Sequence, residues 1–395
     1  MLKFTTSGES HGKGLITIIE GLPSGLPVDE EYINRELARR QKGYGRGGRM
    51  QIESDKVEIF AGVRNAKTLG SPISFLIRNQ DYENWQDIMN SGTCPRIDER
   101  VLTRPRPGHA DLPGAMKYHH SDMRNVLERA SARETASRVA AGAFFKLFLK
   151  QFGILMYSYV RSIGSVNMGT VTIAKDNLEE FCAVVEESPL RCPDKGSEGE
   201  MIKLIEQAKS EGESLGGSFE VGALGVCPGL GSHISWERKL DGQMAAALMS
   251  IPAIKAVEIG EGIANAGEFG SRVHDQIRYQ EEPGLYRNSN RAGGIEGGIS
   301  NGETIYVRAY MKPIPTLYKP LISVNTANWK EEKAQVERSD VCAVPAAAVV
   351  GEAMLAYVLA RAFRDQFGGE SMDQVEQACS SYREYLGKVW KWKRI

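Results

Sequence analysis

Apolar positions fall into short runs with strand character and two long runs with helical character. Residues 15–19 (LITII) are continuously apolar or β-branched and are closed by the turn residues of 21–25, which predicts a buried strand. Asp29 is then placed to cap a short helix that carries Ile33 and Leu37 on one face and ends in Arg39 and Arg40. Further strand-like runs occupy 57–63, 73–77, 219–226, 256–259 and 304–311. The strongest helical signal starts at Ser121 or Asp122 and runs to about Gly153, a good stop residue; its second half, 139–149, is apolar on almost every side. A second such helix is predicted over 346–363. Helices apolar all round must be covered by other elements. Each half of the chain offers strands, loops and one such helix, so helices sandwiched between sheets are expected. No linker divides the sequence, and a single domain over 1–395 follows. The stretch 189–200 reads as a polar break. The stretch 262–303, rich in Gly, Asn and Arg with little periodicity, reads as a long functional loop region.

Composition narrows the function. Lys and Arg number 49 against 50 Asp and Glu, so no bulk positive field exists to hold nucleic acid or an anionic membrane. Anion binding must come from local arginine clusters. The N-terminus carries no apolar signal core, and no stretch is read as a membrane span. Six cysteines without C-x-x-C spacing read as reduced thiols, and no metal-ligand spacing occurs. A cytoplasmic enzyme is expected.

Two generic motifs fail on context. Gly8-Glu-Ser-His-Gly12 fits the serine-hydrolase elbow around Ser10, but that elbow needs a helix to follow, and here a β-type run follows. Residues 43–48 fit G-x-G-x-x-G, but the upstream segment is a charged helix end rather than a strand, so no dinucleotide turn is expected. That glycine loop instead displays Arg40, Arg46 and Arg49. On the long predicted helix, Arg129 and Arg133 share one face, while Arg124 and Arg138 lie nearly opposite with Ser131 and Thr135. Arginines on both sides of a helix entering a core need partners, among them Asp122, Glu128, Glu134 or a bound anion. Of six histidines, His11 sits between turn residues and His109 follows Pro-Gly, so each is displayed by a loop where it can act as an acid or base. Asp340 precedes the turn into the last buried helix, where it reads equally as a cap or as a base. Three classes of function fit these residues: an enzyme acting on a polyanion, a serine hydrolase using Ser10, and a non-catalytic anion-binding module.

Eight blocks in one order run nearly end to end: GESHG at 8–12, RRQKGYGRGGRM at 39–50, RPGHADLPGAMKY at 106–118, RNVLERASARETASRVAAGA at 124–143, MSIPAIKAVEIG at 249–260, NRAGGIEGGISNG at 290–302, KPIPTL at 312–317 and RSDVCAVPAAAVVGEAMLA at 338–356. Together they resemble the chorismate synthase family. The resemblance implies an α+β fold, a β-α-β sandwich with central helices between antiparallel sheets, assembled as a homotetramer. It implies an anti 1,4-elimination of phosphate from 5-enolpyruvylshikimate 3-phosphate, the last common step of the shikimate pathway, with reduced FMN required. By position it makes His11 the acid for the departing phosphate, His109 the group that protonates reduced flavin, and Asp340 the group assisting removal of the ring proton. Arg40 and Arg46 match substrate or NADPH contacts, with Arg49, Arg133 and Ser10 as further substrate contacts. Arg129, Ala130, Ser131, Pro252, Ala253, Gly297, Lys312, Pro313, Ile314, Pro315, Thr316 and Arg338 match FMN contacts. Pro252 stands where many members carry Asn or Gln, and it has neither a side-chain amide nor a backbone N–H. Since no NADPH fingerprint passes the context test, supply of reduced flavin by a separate reductase is expected, with NADPH as the other possible reductant.

Overall fold

A computed structural model describes residues 1–47, 54–337 and 339–393. Its strands are β1 (Lys3–Ser7), β2 (Gly14–Glu20), β3 (Val57–Ala61), β4 (Ile73–Arg78), β5 (Leu155–Ile163), β6 (Val166–Asn167), β7 (Gly217–Leu224), β8 (Ile254–Ile259) and β9 (Ile305–Met311), besides short hairpins. Its longer helices are α1 (Glu30–Gln41), α2 (Asp111–Tyr118), α3 (Arg124–Ala130), α4 (Thr135–Lys150), α5 (Leu178–Glu187), α6 (Lys195–Glu211), α7 (Leu240–Met249), α8 (Val344–Phe367) and α9 (Met372–Trp390).

Two antiparallel sheets enclose a helical layer. The first has the order β1-β2-β4-β3 and the second β8-β9-β7-β5-β6. Between them, α4 packs on β1 and β2, α8 packs on β5 and β7, and the two helices pack on each other. The apolar-all-round pattern of both helices thus has its physical cause: each has a sheet on one side and a helix on another. The expected sandwich is the observed fold.

The two helices meet at Gly142, and α8 meets β7 at Gly351. A Cβ on Gly142 would lie 2.3 Å from the Cβ of Ala353, and one on Gly351 would lie 2.5 Å from the ring of Phe219. Gly142→Ala is therefore expected to destabilise the fold by about 1–3 kcal/mol through overpacking, although alanine is the better helix former. A chemical-denaturation midpoint equal to the parent's would show that the crossing can relax.

Charge also enters this layer. Lys146 of α4 donates to Glu36 of α1 at 2.7 Å and to Glu352 of α8, while Arg39 reaches Glu352 at 2.9 Å and Glu36 at 2.7 Å. Burial pushes the Glu352 carboxyl up, but Arg39 and Lys146 more than reverse it, so the group stays ionised well below the usual carboxylate range. The network clamps α1 onto both central helices and so aims its next residue, Arg40.

Several sequence expectations change. The strand at 14–20 buries only Leu15, Thr17 and Ile19 and leaves Ile16 and Ile18 half exposed, because one face of the sheet is uncovered. The supposed single helix from 121 to 153 is broken: Ser131 is extended (φ −63°, ψ 142°), and a 3-10 turn, Ala132–Glu134, separates α3 from α4. The Ser131 hydroxyl accepts from the Arg133 amide, a local bond that competes with helix continuation. The polar break at 189–200 contains the start of α6, whose cap is the Asp194 side chain accepting from Ser197 N. Among the described residues one helix, Val344–Phe367, is long and apolar enough to cross a membrane, contrary to expectation, yet 89% of its apolar window is buried inside the fold.

Candidate active site

The loop 8–12 connects β1 directly to β2, so no helix follows Ser10 and the hydrolase elbow is not formed. Its residues face the start of α3 and the break after it. Ser10 N donates to the Glu128 carbonyl at 2.9 Å, and its hydroxyl donates to Ser131 Oγ at 3.0 Å. His11 turns Nδ1 to Glu128 at 2.9 Å, and its ring stacks on Trp85 with centroids 3.9 Å apart. Asn79, just after β4, donates to the carbonyls of Glu9 and Gly12 and accepts from Arg133 Nε at 2.8 Å. The helix break is what sends Arg133 inward. On a continuous helix it would share a face with Arg129, which here donates outward to Thr6 on β1 and to the Gly8 carbonyl just after it.

Arg133 and Arg40 meet over one carboxylate. Asp55, with a fully buried side chain, accepts from Arg133 Nη1 at 2.5 Å and from Arg40 Nη1 at 3.4 Å. Arg40 also donates to Thr135 Oγ1 and to the Ala132 carbonyl, so the break in the helix supplies its acceptors. Burial brings the Arg40 pKa down to about 10; Asp55 opposes the fall and Arg133 adds to it. The charges of Arg46 and Asp340 act on Arg40 as well. Arg46 pairs with Asp340 at 3.0 Å, Gly47 N donates to Asp340 at 2.6 Å, and Val341 N donates to the Gly45 carbonyl at 2.8 Å. The glycine loop is therefore laid against the entrance to α8. Arg49 and Arg338 lie outside the described residues.

A second group forms around His109. Its Nδ1 is 2.6 Å from Asp111, which also accepts from Arg106 Nε at 2.9 Å. Burial opposes the charge on Asp111, but hydrogen bonds from His109 and Arg106 hold the carboxyl well below the usual range. Arg106 Nη1 donates to Thr316 at 2.9 Å and Lys312 Nζ donates to the Gly108 carbonyl at 3.0 Å, so the rigid 312–316 run, with Pro313 and Pro315, lies along the His109 loop. Lys312 N in turn donates to the carbonyl of Ala253, a residue held at φ +67° beside Pro252.

Short paths connect the two groups. Ser214 Oγ donates to the Ile314 carbonyl, and the next residue's amide, Leu215 N, donates to the carbonyl of Val341 beside Asp340. Arg104 is bonded to Gln335, and Arg124 of the His11 side reaches Glu337 at 3.3 Å. Gln335, Glu337 and Val341, close in sequence to Asp340, are thus bonded to segments that belong to the His11 and His109 groups. Gly297 stands apart from these paths, at the tip of a hairpin fastened to Ser232 and Leu240 through the Gly298 carbonyl. Arg129 and Ala130 are on the β1 side and are not brought to the Lys312 run by any described contact.

Sequence reasoning passed over Asp55, Asn79, Trp85 and Asp111. Only Asp111 had a usable signal, a carboxylate two residues after a loop histidine. The others come from segments whose patterns are unremarkable.

An α+β sandwich with buried arginines and two carboxylate-backed histidines is the architecture of an enzyme that handles a polyanion and moves protons. The chorismate synthase family model matches residues 2–363. The chain is similar to the chorismate synthase of Syntrophomonas wolfei, 65% identical over 395 residues and spanning all of both chains. It is 55% identical over 390 residues to that of Desulforamulus reducens, covering 98% of this chain and all of the other. It also superposes on a crystal structure of chorismate synthase with a TM-score of 0.80 at 45% identity, covering 98% of this chain and 99% of that one. The chain belongs to the chorismate synthase family, and its activity is that family's formation of chorismate in the shikimate pathway.

Proposed function

We propose that the chain, acting as one domain over 1–395, eliminates phosphate from 5-enolpyruvylshikimate 3-phosphate with reduced FMN, as a cytoplasmic homotetramer. The observation that carries this reading is that an arginine-lined group around His11 and a lysine-bearing group around His109 both reach the segment before α8, at Glu337 through Arg124 and at Val341 through Leu215. A substrate bearing one phosphate and two carboxylates suits the first. Arg40, Arg46 and Arg133 are the cations there, with Ser10 and Arg49 as additional contacts, and each charge-assisted hydrogen bond contributes about 1.5–3 kcal/mol.

The second group suits a flavin mononucleotide. Lys312 lies beside Lys255, and burial together with that neighbouring cation lowers its pKa. Two ammonium groups with a backbone carbonyl for a partner form a set that a phosphate or the ring carbonyls of a flavin would complete. Ala253, Lys312, Pro313, Ile314, Pro315 and Thr316 would hold the group, with Arg129, Ala130, Ser131, Arg338, Pro252 and Gly297 as the other proposed contacts. Reduced FMN, when bound, supplies transient electron donation that eases C–O cleavage. The rest falls to this chain's side chains. Arginines neutralise the departing phosphate, His11 delivers a proton to it, Asp340 assists removal of the ring proton, and His109 holds a proton for the flavin.

The test is an anaerobic assay of phosphate release with chemically reduced FMN, with and without NADPH. Release with reduced FMN alone, and none with oxidised FMN plus NADPH, is the expected pattern and implies a separate flavin reductase. No release under either condition would sink the cofactor reading. Release with oxidised FMN plus NADPH would instead make the chain its own reductase.

A further inference from the structure

Glu128 accepts three hydrogen bonds from two residues. Its side chain is almost wholly buried, and its carboxylate takes the His11 backbone N–H at 2.8 Å, His11 Nδ1 at 2.9 and 3.1 Å, and Arg124 Nη1 at 3.2 Å. Holding both the main chain and the ring of one histidine leaves that residue few conformations. The far side of the ring is equally defined. Trp85 stacks on it at an interplanar angle of 24°, and Trp85 is itself fixed by its Nε1 donating to Asp81 at 3.1 Å. The guanidinium carbons of Arg100 and Arg124 each lie 5.1 Å from the Trp85 ring centroid, and Arg124 Nε donates to the Arg100 carbonyl at 2.6 Å. Among the described residues, charged groups around the imidazole include Glu128 and Arg124 from α3, Arg100 and Asp81 from the turns near Trp85, and Glu337 beyond Arg124.

Burial opposes the charge on Glu128, but the hydrogen bond from His11 and the charges of His11 and Arg124 keep its carboxyl below the usual range. An ionised carboxylate only accepts. Nδ1 must then carry hydrogen in both the neutral and the charged imidazole, and the proton that comes and goes is the one on Nε2. We infer that Glu128 is the positioning residue of the site, holding His11 with Nδ1–H inward and Nε2 as the proton-exchanging nitrogen, while Trp85 keeps the ring in its plane. This rests on the reading of His11 as the proton donor. It adds which nitrogen acts and which two residues decide it.

The test uses the full-length protein with reduced FMN. Glu128→Ala is expected to lower kcat by about 10–100-fold, the usual cost of removing the partner that orients a functional histidine, with substrate KM and FMN affinity unchanged. Glu128→Gln keeps an acceptor for Nδ1 and is expected to lose less. Added formate, which can occupy the deleted carboxylate's place, should restore activity to Glu128→Ala but not to His11→Ala. The Trp85 emission, isolated by difference against Trp85→Phe, should change alike in Glu128→Ala and His11→Ala because the stacked ring leaves in both. Parent-like kcat in Glu128→Ala overturns the inference, and so does a loss that neither formate nor glutamine lessens. Parent-like turnover in His11→Ala sinks the acid reading instead, and the Trp85 emission of Glu128→Ala still decides whether that carboxylate positions the ring.

Discussion

Replacing His11 with alanine is expected to lower chorismate formation by about 10²–10⁴-fold, the range that general acid catalysis contributes, while fold and flavin binding are retained. The physical ground is local. Phosphate leaves more readily when a donor stands ready for its oxygen, and a ring held by Glu128 on one edge and stacked on Trp85 is already oriented for that task. Retention of the fold is expected because the loop 8–12 is tied down by other groups, through Ser10 to Glu128 and through Asn79 to Glu9 and Gly12. His109→Ala is expected to behave alike, since the Arg106–Asp111 pair and the Arg106–Thr316 bond hold its loop without the imidazole. Single-turnover kinetics with reduced FMN separate the two steps. A variant forming chorismate at the parent rate removes that histidine from the chemistry.

Asp55→Ala is expected to cost about 3–5 kcal/mol of stability, because it removes a buried carboxylate that two buried cations share. The side chains of Arg133 and Arg40 are 2% and 4% exposed, and both bond this one carboxylate. Burial, and then the charge of Arg133, lower the pKa of Arg40, and Asp55 opposes them. The sign of ligand linkage is then informative. A polyanion bound between the two arginines replaces the missing charge, so substrate or inorganic phosphate should raise the thermal midpoint more in Asp55→Ala than in the parent. An equal rise in both would show that the anion does not bind these arginines. A variant as stable as the parent would show that other groups compensate them.

Much of this was legible in one dimension. An all-round apolar pattern marked both central helices, because a helix covered on every side can expose no polar face. Apolar or β-branched runs marked β2, β3, β4, β7, β8 and β9 but not β5, and two loop histidines stood out because His11 lies between Gly8 and Gly12 and His109 follows Pro-Gly. Illegible were the features that depend on a competing local bond. Ser131 breaks the long helix by capping the next turn, and the periodicity of 124–143 continues through the break as if nothing had happened. The assignment of Arg129 and Arg133 to one face failed for that reason alone. Helix α6 was missed because its polar N-terminal turn, capped by Asp194, looks the same as a loop in sequence.

The sequence by itself determined the family, the layered α+β class and the two histidines, since these rest on residue types and spacings that no tertiary contact can alter. Only the tertiary structure decided which carboxylate serves which cation or imidazole: Asp55 for Arg40 and Arg133, Glu128 for His11, Asp340 for Arg46. Those partners are from 15 to nearly 300 residues apart in the chain, and it is packing of the central helices between the sheets that brings them within hydrogen-bond reach.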